Sequence, residues 1–199
     1  MTTTLTDIQD ECRSYGEREP EYVHKMMHKV PDAVVMDKMQ LLKDMCRDKV
    51  VLSLGCTGQY QEVVDSVCKK CYGIDKEPQE RGLFFELDLD SLDRTLPKLG
   101  DIDLVWAGEV LEHLTNPGNL LRNLRQYKCT ILITVPNALC EVGMAHMRGG
   151  VENVNIDHVA YYSYWTLKGL VEKCGYAVRE FYWYDGKPMT AEGLIMVVE

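Results

Sequence analysis

From Lys49 onward, short apolar runs alternate with stretches of helical character. The first run, Val50 to Leu54, is apolar except for Ser53 and leads into Gly55, a pattern typical of a buried strand. Further strands are predicted at Cys71 to Asp75, Leu83 to Leu87, Ile102 to Trp106 and Thr130 to Val135, and helices at about Gln59 to Lys70, Val110 to Leu114 and Leu120 to Tyr127. Strands that alternate with helices at this spacing predict βαβ units and a parallel sheet.

The C-terminal stretch departs from this alternation. Two apolar runs, Phe181 to Tyr184 and Leu194 to Val198, are joined by Asp185-Gly186-Lys187-Pro188 and a short polar segment. A hairpin fits this pattern and would place one antiparallel strand in an otherwise parallel sheet. The sequence therefore predicts an α/β protein with a doubly wound, mostly parallel sheet and one antiparallel strand near the C-terminus.

The first 48 residues are polar and helical in character. Their apolar positions fit a helical stripe that ends at Arg47-Asp48 and comprises Val34, Val35, Met39, Leu42 and Met45. We expect residues 1–48 to form a helical lid or flank and residues 49–199 to form the ligand-binding domain. No linker separates the two segments, so a single globular domain is expected overall.

Composition and charge narrow the class of protein. Of the 199 residues, 46% are hydrophobic and 27% are charged, which is typical of a globular chain that buries one substantial core. The net charge is −9, and Lys69-Lys70 is as long as any basic run, which disfavours nucleic acid as the main partner. The N-terminus lacks the features of a secretory signal, and no apolar run is long enough for a membrane span. A cytoplasmic protein is therefore expected.

Eight cysteines occur in the chain. In a chain without a leader that can bury its own core, they are expected to be reduced thiols rather than a disulfide framework. Cys68 and Cys71 have C-x-x-C spacing, but no second pair and no nearby Cys/His set completes four zinc ligands. The pattern alone therefore does not predict a metal or redox site.

A glycine turn joins the first strand to the following helix in the segment VVLSLGCTGQY, with glycines at 55 and 58. Glycine there lets the backbone pass close to a ligand, and the N–H groups of the helix favour a carboxylate or phosphate. Twenty residues on, Asp75 ends the second strand, where a carboxylate can accept both hydroxyl hydrogens of a ribose. Together the two features predict a nucleotide-like ligand. The alternative interpretation is a glycine that only closes the connection between strand and helix.

Asp88 follows the third predicted strand in FFELDLDSL. This position lies in the crevice at the carboxyl ends of the strands, where ligands bind in such sheets. The Asp88 side chain could accept from an adenine amino group, with the backbone N–H of Leu89 nearby. A helix N-cap or a solvated turn is the alternative interpretation of the same residue.

Between about Lys49 and Cys174 the chain resembles the class I S-adenosylmethionine-dependent methyltransferases, especially the branch with the ubiquinone-biosynthesis O-methyltransferases. The resemblance is carried by DLVWAGEVLEHLTNP at 103–117, by ILITVPN and by DHVAYYSYWTLKGLVEKCGY, in that order. It implies a seven-stranded Rossmann-like sheet, S-adenosylmethionine as methyl donor and a small-molecule acceptor that is methylated on oxygen or nitrogen. Two departures are Ser53, where the family usually has an acidic residue, and the lack of a third glycine near Thr57 or Gln59.

The resemblance also implies roles for individual residues. Gly55 and the turn of Cys56, Thr57 and Gly58 would face the methionine end of the cofactor, and Asp75 would face the ribose. Asp88 and Leu89 would face the adenine. The segment of Ala107, Gly108 and Glu109 would lie on the sulfonium side.

The catalytic candidates include Glu109, Glu112 and His113. Their spacings of three and four would place them on one face of a helix after the fourth strand. His158 could approach from a later loop and act as a base. By resemblance to small-RNA 2′-O-methyltransferases, Glu109, Glu112, His113 and His158 could instead hold a divalent cation such as Mg²⁺ that orients acceptor oxygens. We predict catalytic roles for Glu109, His113 and His158 and no bound metal.

Three alternatives remain open at this stage. A glycine turn followed by an acidic residue also serves dinucleotides, so a nicotinamide-dependent oxidoreductase is possible, although it requires neither the EVLEHL segment nor the C-terminal hairpin. The reduced glycine turn leaves open a non-catalytic module that binds an adenosyl ligand. The acidic and histidine set leaves open a metal-assisted RNA 2′-O-methyltransferase.

Overall fold

The structure, a computed structural model, describes residues 28–80, 82–91 and 96–199. The chain divides into two compact units, Met1–Asp32 and Ala33–Glu199. Of the first unit, the structure describes residues 28–32, which have no regular secondary structure. Residues 1–27 of the segment expected to form a lid lie outside the described residues.

The second unit is built on a seven-stranded sheet. Its strands are β1 (Val50–Leu54), β2 (Lys70–Asp75), β3 (Phe84–Glu86), β4 (Leu104–Gly108), β5 (Thr130–Pro136), β6 (Val178–Tyr184) and β7 (Gly193–Val198). Their spatial order is β3-β2-β1-β4-β5-β7-β6, in which β7 runs antiparallel to both neighbours and all other pairs are parallel. The predicted fold class, including the single antiparallel strand, is confirmed.

Five α-helices accompany the sheet in the described residues. They are α1 (Lys38–Cys46), α2 (Gly58–Val67), α3 (Pro117–Leu124), α4 (Glu141–Arg148) and α5 (Tyr164–Lys173). Side-chain caps determine where α1 and α3 begin. Asp37 caps α1 by accepting from the Gln40 N–H at 2.9 Å, and the Asn116 side chain caps α3, whose first residue is Pro117. This cap explains why α3 begins three residues before the predicted start at Leu120.

The predicted helical stripe is wrong at residues 34–36. They are extended, because the Met36 N–H donates to the Trp183 carbonyl at 2.7 Å and the Trp183 N–H donates to the Val34 carbonyl at 3.0 Å. Val35 thereby forms a parallel bridge beside β6. The helical part of the stripe is α1 alone, since backbone pairing with a strand takes the preceding residues out of helical conformation.

Helix α1 packs into the core of the second unit. Leu42 and Cys46 are almost fully buried and belong to one apolar cluster with Val51 of β1 and Val64 of α2. Burying a leucine-sized side chain contributes about 1.5 to 3 kcal/mol. The segment before β1 therefore stabilises the sheet as well as flanking it.

The topology places a crevice at one end of the sheet. The chain runs from β1 outward to β2 and β3 on one side, and β4 starts the other half on the opposite side of β1. Parallel sheets bind ligands at such a reversal, outside the carboxyl ends of the strands. Leu54, Asp75 and Gly108 end the three strands that meet there.

Candidate functional site

A cavity of about 260 Å³ opens at the carboxyl ends of β1, β2 and β4. Its walls carry carboxylates, one lysine, one histidine and apolar side chains. The lining residues are Gly55, Asp75, Lys76, Asp88, Leu89, Asp90, Glu109, Val110, His113 and Leu114. Five of the ten residues predicted to bind the cofactor, namely Gly55, Asp75, Asp88, Leu89 and Glu109, are thus brought together on one surface.

Gly55 occupies a left-handed backbone conformation with φ of +61°. A Cβ added there would lie 2.9 Å from the Val110 Cγ2, and both residues line the cavity. The position therefore requires glycine for backbone conformation and for space.

Replacing Gly55 with alanine is expected to destabilise the protein by about 1 to 2 kcal/mol, because an alanine strains this backbone and crowds Val110. Urea unfolding of the variant measures this cost. Gly58→Ala is the matched control, since Gly58 also has a positive φ of +67° but has no atom within 4 Å of an added Cβ. Equal costs in the two variants would show that the contact with Val110 contributes nothing.

The other predicted turn residues do not line the cavity. The Cys56 side chain is buried, while Thr57 and Gly58 are exposed at the start of α2. Ala107 is buried within β4. A Cβ on Gly108 would lie 2.0 Å from the Trp106 ring, so glycine at this position serves packing of the tryptophan.

Asp75 and Asp88 hold ordered positions on the cavity wall. One carboxylate oxygen of Asp75 accepts from the Glu77 N–H at 2.9 Å, and one of Asp88 accepts from the Asp90 N–H at 2.9 Å. The bond from the Asp90 N–H lowers the pKa of the Asp88 carboxyl below its ordinary value. Asp88 is therefore ionised at neutral pH and can accept hydrogen bonds from a ligand.

Glu109 sits at the turn after β4 with a φ of +54°, which is uncommon for a residue other than glycine. One carboxylate oxygen, Oε1, accepts from Thr134 Oγ1 at 2.6 Å and from the Tyr184 hydroxyl at 2.7 Å. The Lys38 ammonium lies 3.3 Å from the same oxygen. Burial, and then the charge of Glu109, raises the pKa of Tyr184, which keeps this phenol a donor.

Lys38 is a site residue that the sequence did not indicate. Its side chain is 7% exposed, and its ammonium lies about 4 Å from the ring centroids of both Tyr60 and Tyr184. A buried ammonium is tolerated where a carboxylate and aromatic faces surround it. No local signal marks it, because the partners come from α2, from the turn after β4 and from β6.

The predicted α-helix over Val110 to Leu114 is wrong. The segment is one turn of 3-10 helix, Leu111–His113, and Glu109 precedes it in a left-handed conformation. Glu109, Glu112 and His113 therefore do not share an α-helical face. The positive φ at Glu109 ends β4 abruptly and leaves too few residues for an α-helix before the Asn116 cap.

Three members of the predicted set still meet. One donor atom each of Glu112, His113 and His158 lies within 4.8 Å of the others, and the two imidazole rings are in edge contact with centroids 4.6 Å apart. Glu112 is buried, and neither carboxylate oxygen has a hydrogen-bond partner. Burial, and then the charge of Glu109, raises the pKa of Glu112 to about 8.

These residues fit a divalent cation. An unpartnered buried carboxylate is costly unless it is protonated or paired with a positive charge, and carboxylate with imidazole is a common donor set for divalent metals. Glu109 stands apart, because its Oε1 is already bound by Lys38, Thr134 and Tyr184. The set that could hold a cation is thus Glu112, His113 and His158 rather than all four predicted residues.

A second cavity has a volume of about 410 Å³. Its walls are mostly apolar and come from the loop after β5, from α4 and from residues 152–161, which include His158. Because His113 lines the first cavity and His158 the second, the contact between the two rings marks the boundary between the cavities.

Burial, and then His113, lowers the pKa of His158 below its ordinary value. His158 is therefore neutral at pH 7 and has a free lone pair to offer. The His113 Nδ1 lies 3.2 Å from the Asp157 carbonyl oxygen. A carbonyl only accepts, so the His113 Nδ1 donates the proton in this bond.

Comparison with known proteins identifies the family. Residues 23–180 match the family described as methyltransferase domain. A search of curated sequences gave no significant match. None of the helices in the described ranges has the length and apolar character to cross a bilayer.

Solved structures share the fold at low identity. The small RNA methyltransferase HEN1 aligns with a TM-score of 0.63 and 16% identity, over 87% of this chain and 27% of the HEN1 chain. This chain thus spans about a quarter of HEN1. An S-adenosylmethionine dependent methyltransferase from Mesorhizobium loti aligns with a TM-score of 0.57 and 12% identity, over 80% of this chain and 94% of its own.

The N-methyltransferase NodS from Bradyrhizobium japonicum, solved with S-adenosyl-L-homocysteine, aligns with a TM-score of 0.56 and 16% identity, over 81% of this chain and 84% of its own. The structural matches show that the fold is shared, and the family match covers most of the sequence. The chain therefore belongs to the methyltransferase domain family.

Proposed function

We propose that this protein transfers the methyl group of S-adenosylmethionine to an oxygen or nitrogen of a small-molecule acceptor. The observation that carries the proposal is the pair of cavities that meet at His113 and His158. One cavity has the carboxylates suited to an adenosyl ligand, and the other has the volume and apolar lining typical of small-molecule pockets. Methyl transfer needs two such compartments in contact.

The cofactor is assigned to the cavity at the ends of β1, β2 and β4. Asp75 would accept from the ribose hydroxyls, and Asp88 with the Leu89 N–H would face the adenine. Gly55 would lie beside the methionine end, and Glu109 beside the sulfonium. These assignments are supported by the position of all five residues on one cavity wall.

When bound, S-adenosylmethionine supplies a methyl group on a positively charged sulfur, so that transfer breaks the C–S bond, forms a C–O or C–N bond and leaves a neutral thioether. The protein must align acceptor and methyl, which can lower the barrier by roughly 7 to 11 kcal/mol. His158, neutral and on the acceptor side, would take the proton that the acceptor loses. Glu109 would place negative charge near the sulfonium and is itself held by Lys38, Thr134 and Tyr184.

Replacing His158 with glutamine is expected to lower the rate of methyl transfer about 100-fold, the lower end of the range for a general base. The affinity for S-adenosylhomocysteine should be unchanged, because His158 lines the acceptor cavity alone. Single-turnover rates and calorimetric titration measure the two quantities. His146→Gln is the matched control, since His146 lies on α4 and lines neither cavity.

One experiment tests the proposal as a whole. The protein is incubated with S-adenosylmethionine labelled in its methyl group and with separate small-molecule, RNA and protein fractions of a cell extract. Label in a small molecule supports the proposal, and label confined to another fraction overturns the acceptor class. A thermal shift with NADH and none with S-adenosylhomocysteine would support the nicotinamide alternative. A shift with S-adenosylhomocysteine in a protein that labels no fraction would support the adenosyl-binding module without catalysis.

Metal-assisted 2′-O-methylation of RNA is the second candidate. It is favoured by the buried, unpartnered Glu112 beside His113 and His158 and by the likeness of the fold to the small RNA methyltransferase HEN1. A cation held there would lower the pKa of an acceptor hydroxyl. The net charge of −9 argues against a long phosphate backbone as acceptor.

Chelation separates the two candidates. If His158 alone provides the base, activity is expected to stay unchanged in excess EDTA. A loss that Mg²⁺ or Mn²⁺ restores in the wild type, and not in Glu112→Gln, would instead establish the metal-assisted reaction. The variant serves as the control because it keeps the size of the side chain and removes the charge that would hold the cation.

A further inference from the structure

A second cluster of metal-binding side chains lies away from the candidate active site. One donor atom each of Asp65, Cys68 and Cys71 lies within 4.8 Å of the others. Asp65 is in the last turns of α2, Cys68 follows that helix directly, and Cys71 is the second residue of β2. The cluster therefore sits at the amino end of β2, whereas the cofactor cavity lies at the carboxyl ends of the strands.

The cluster is anchored beside the end of α1. Cys68 and Cys71 pack against the apolar cluster that contains Cys46, the last residue of that helix. Two backbone bonds hold the ends of α1 and α2 together: the Asp48 N–H donates to the Val67 carbonyl at 3.0 Å, and the Lys69 N–H donates to the Lys49 carbonyl at 2.9 Å. The two thiols and the carboxylate are thus held on a fixed part of the backbone.

Gln61 orients two of these groups. Its side-chain amide donates to the Asp65 carboxylate at 2.9 Å and lies 3.5 Å from the Cys71 sulfur. The amide oxygen of Gln61 in turn accepts from the Ser53 hydroxyl at 2.5 Å. In metal sites, residues of this kind orient the ligand groups by hydrogen bonds.

We propose that Cys68, Cys71 and Asp65 form a Zn²⁺ site whose fourth ligand is water. Thiolates select thiophilic metals, and three protein ligands with one water match the tetrahedral preference of zinc. A shallow surface cavity lined by Asp65, Cys68, Lys69, Lys70 and Cys71 gives the ion a path of entry. Binding releases the thiol protons, and the two lysines offset part of the negative charge of the ligands.

The site is structural rather than catalytic, because it lies at the other end of β2 from the cofactor cavity. It joins the last turns of α2 to the start of β2, so that the ion would tie this helix to the sheet. Metal binding to the folded state and not to the unfolded chain raises stability. The proposal does not depend on the identity of the methyl acceptor.

Cobalt titration of the reduced, metal-free protein tests the proposal. One equivalent of Co²⁺ is expected to give the near-ultraviolet thiolate charge-transfer band and the intense visible bands of tetrahedral cobalt, and Zn²⁺ should abolish both. Cys68→Ser and Cys71→Ser should lose the bands, and Gln61→Ala should weaken affinity about 10- to 100-fold. Cys129→Ser, which alters a half-buried thiol outside the cluster, should behave like the wild type.

The melting temperature gives a second readout. Zn²⁺ is expected to raise it for the wild type and for Cys129→Ser, and not for Cys68→Ser. A wild-type protein without the charge-transfer band, or one whose band survives in Cys68→Ser and Cys71→Ser, would overturn the proposal. The proposal would also be overturned if the protein has a Cys68–Cys71 disulfide and, once this is reduced, binds no Co²⁺.

Discussion

Replacing Asp75 with alanine is expected to weaken binding of S-adenosylhomocysteine by several hundred-fold. A hydrogen bond to a charged group is worth about 1.5 to 3 kcal/mol, and the ribose would lose two of them. The fold should persist, because the strand bond from the Leu87 N–H goes to the Asp75 backbone carbonyl and the side-chain bond from the Glu77 N–H is exposed to water. Calorimetric titration measures the affinity, and urea unfolding checks the fold.

Asp101→Ala is the matched control for this measurement, since it removes an exposed carboxylate that does not line the cavity. Its affinity should equal that of the wild type. If Asp75→Ala also binds with wild-type affinity, the cofactor does not occupy this cavity in the proposed orientation. The assignments of Gly55, Asp88 and Leu89 would then fail together, since they share one wall.

Replacing Glu112 with glutamine is expected to stabilise the metal-free protein by roughly 4 kcal/mol at pH 8, judged from the size of the pKa shift. The pKa of Glu112 is raised from 4.5 to about 8 in the folded state. Between these values the folded protein holds a proton that the unfolded chain releases, so stability falls as the pH rises. Glutamine stays neutral and removes this dependence.

Urea unfolding in EDTA at several pH values between 5 and 8.5 tests whether the stability of the wild type falls as the pH rises over this range. The difference between the variant and the wild type should be small near pH 5 and should grow toward pH 8. Glu62→Gln, on the exposed face of α2, is the control and should show no such trend. Parallel curves for Glu112→Gln and the wild type would contradict the raised pKa.

Much of the fold follows from apolar runs in the sequence. β1, β4 and β5 are buried along almost their whole length, so their patterns are continuous and their positions were predicted to within about two residues. The hairpin of β6 and β7 was predicted from two runs and a turn. The prediction is wrong at Glu109, where a positive φ ends the strand and no α-helix follows. It is also wrong at Val35, where pairing with a strand far along the chain makes the backbone extended.

The candidate site was predictable only where a residue is near a strand end. Gly55, Asp75 and Asp88 follow strands directly, and their convergence on one cavity follows from parallel topology. Lys38, Thr134 and Tyr184 reach Glu109 from distant segments, so no spacing reveals them.

The pairing of residues 34–36 with Trp183 has a consequence for work with shortened forms of the protein. A fragment that begins at Lys49 would uncover the free N–H and carbonyl groups of β6 together with the apolar surface beneath α1. Exposed backbone of this kind templates strand addition between molecules. Such a fragment should therefore self-associate, whereas one that begins at Ala33 keeps its outer strand capped.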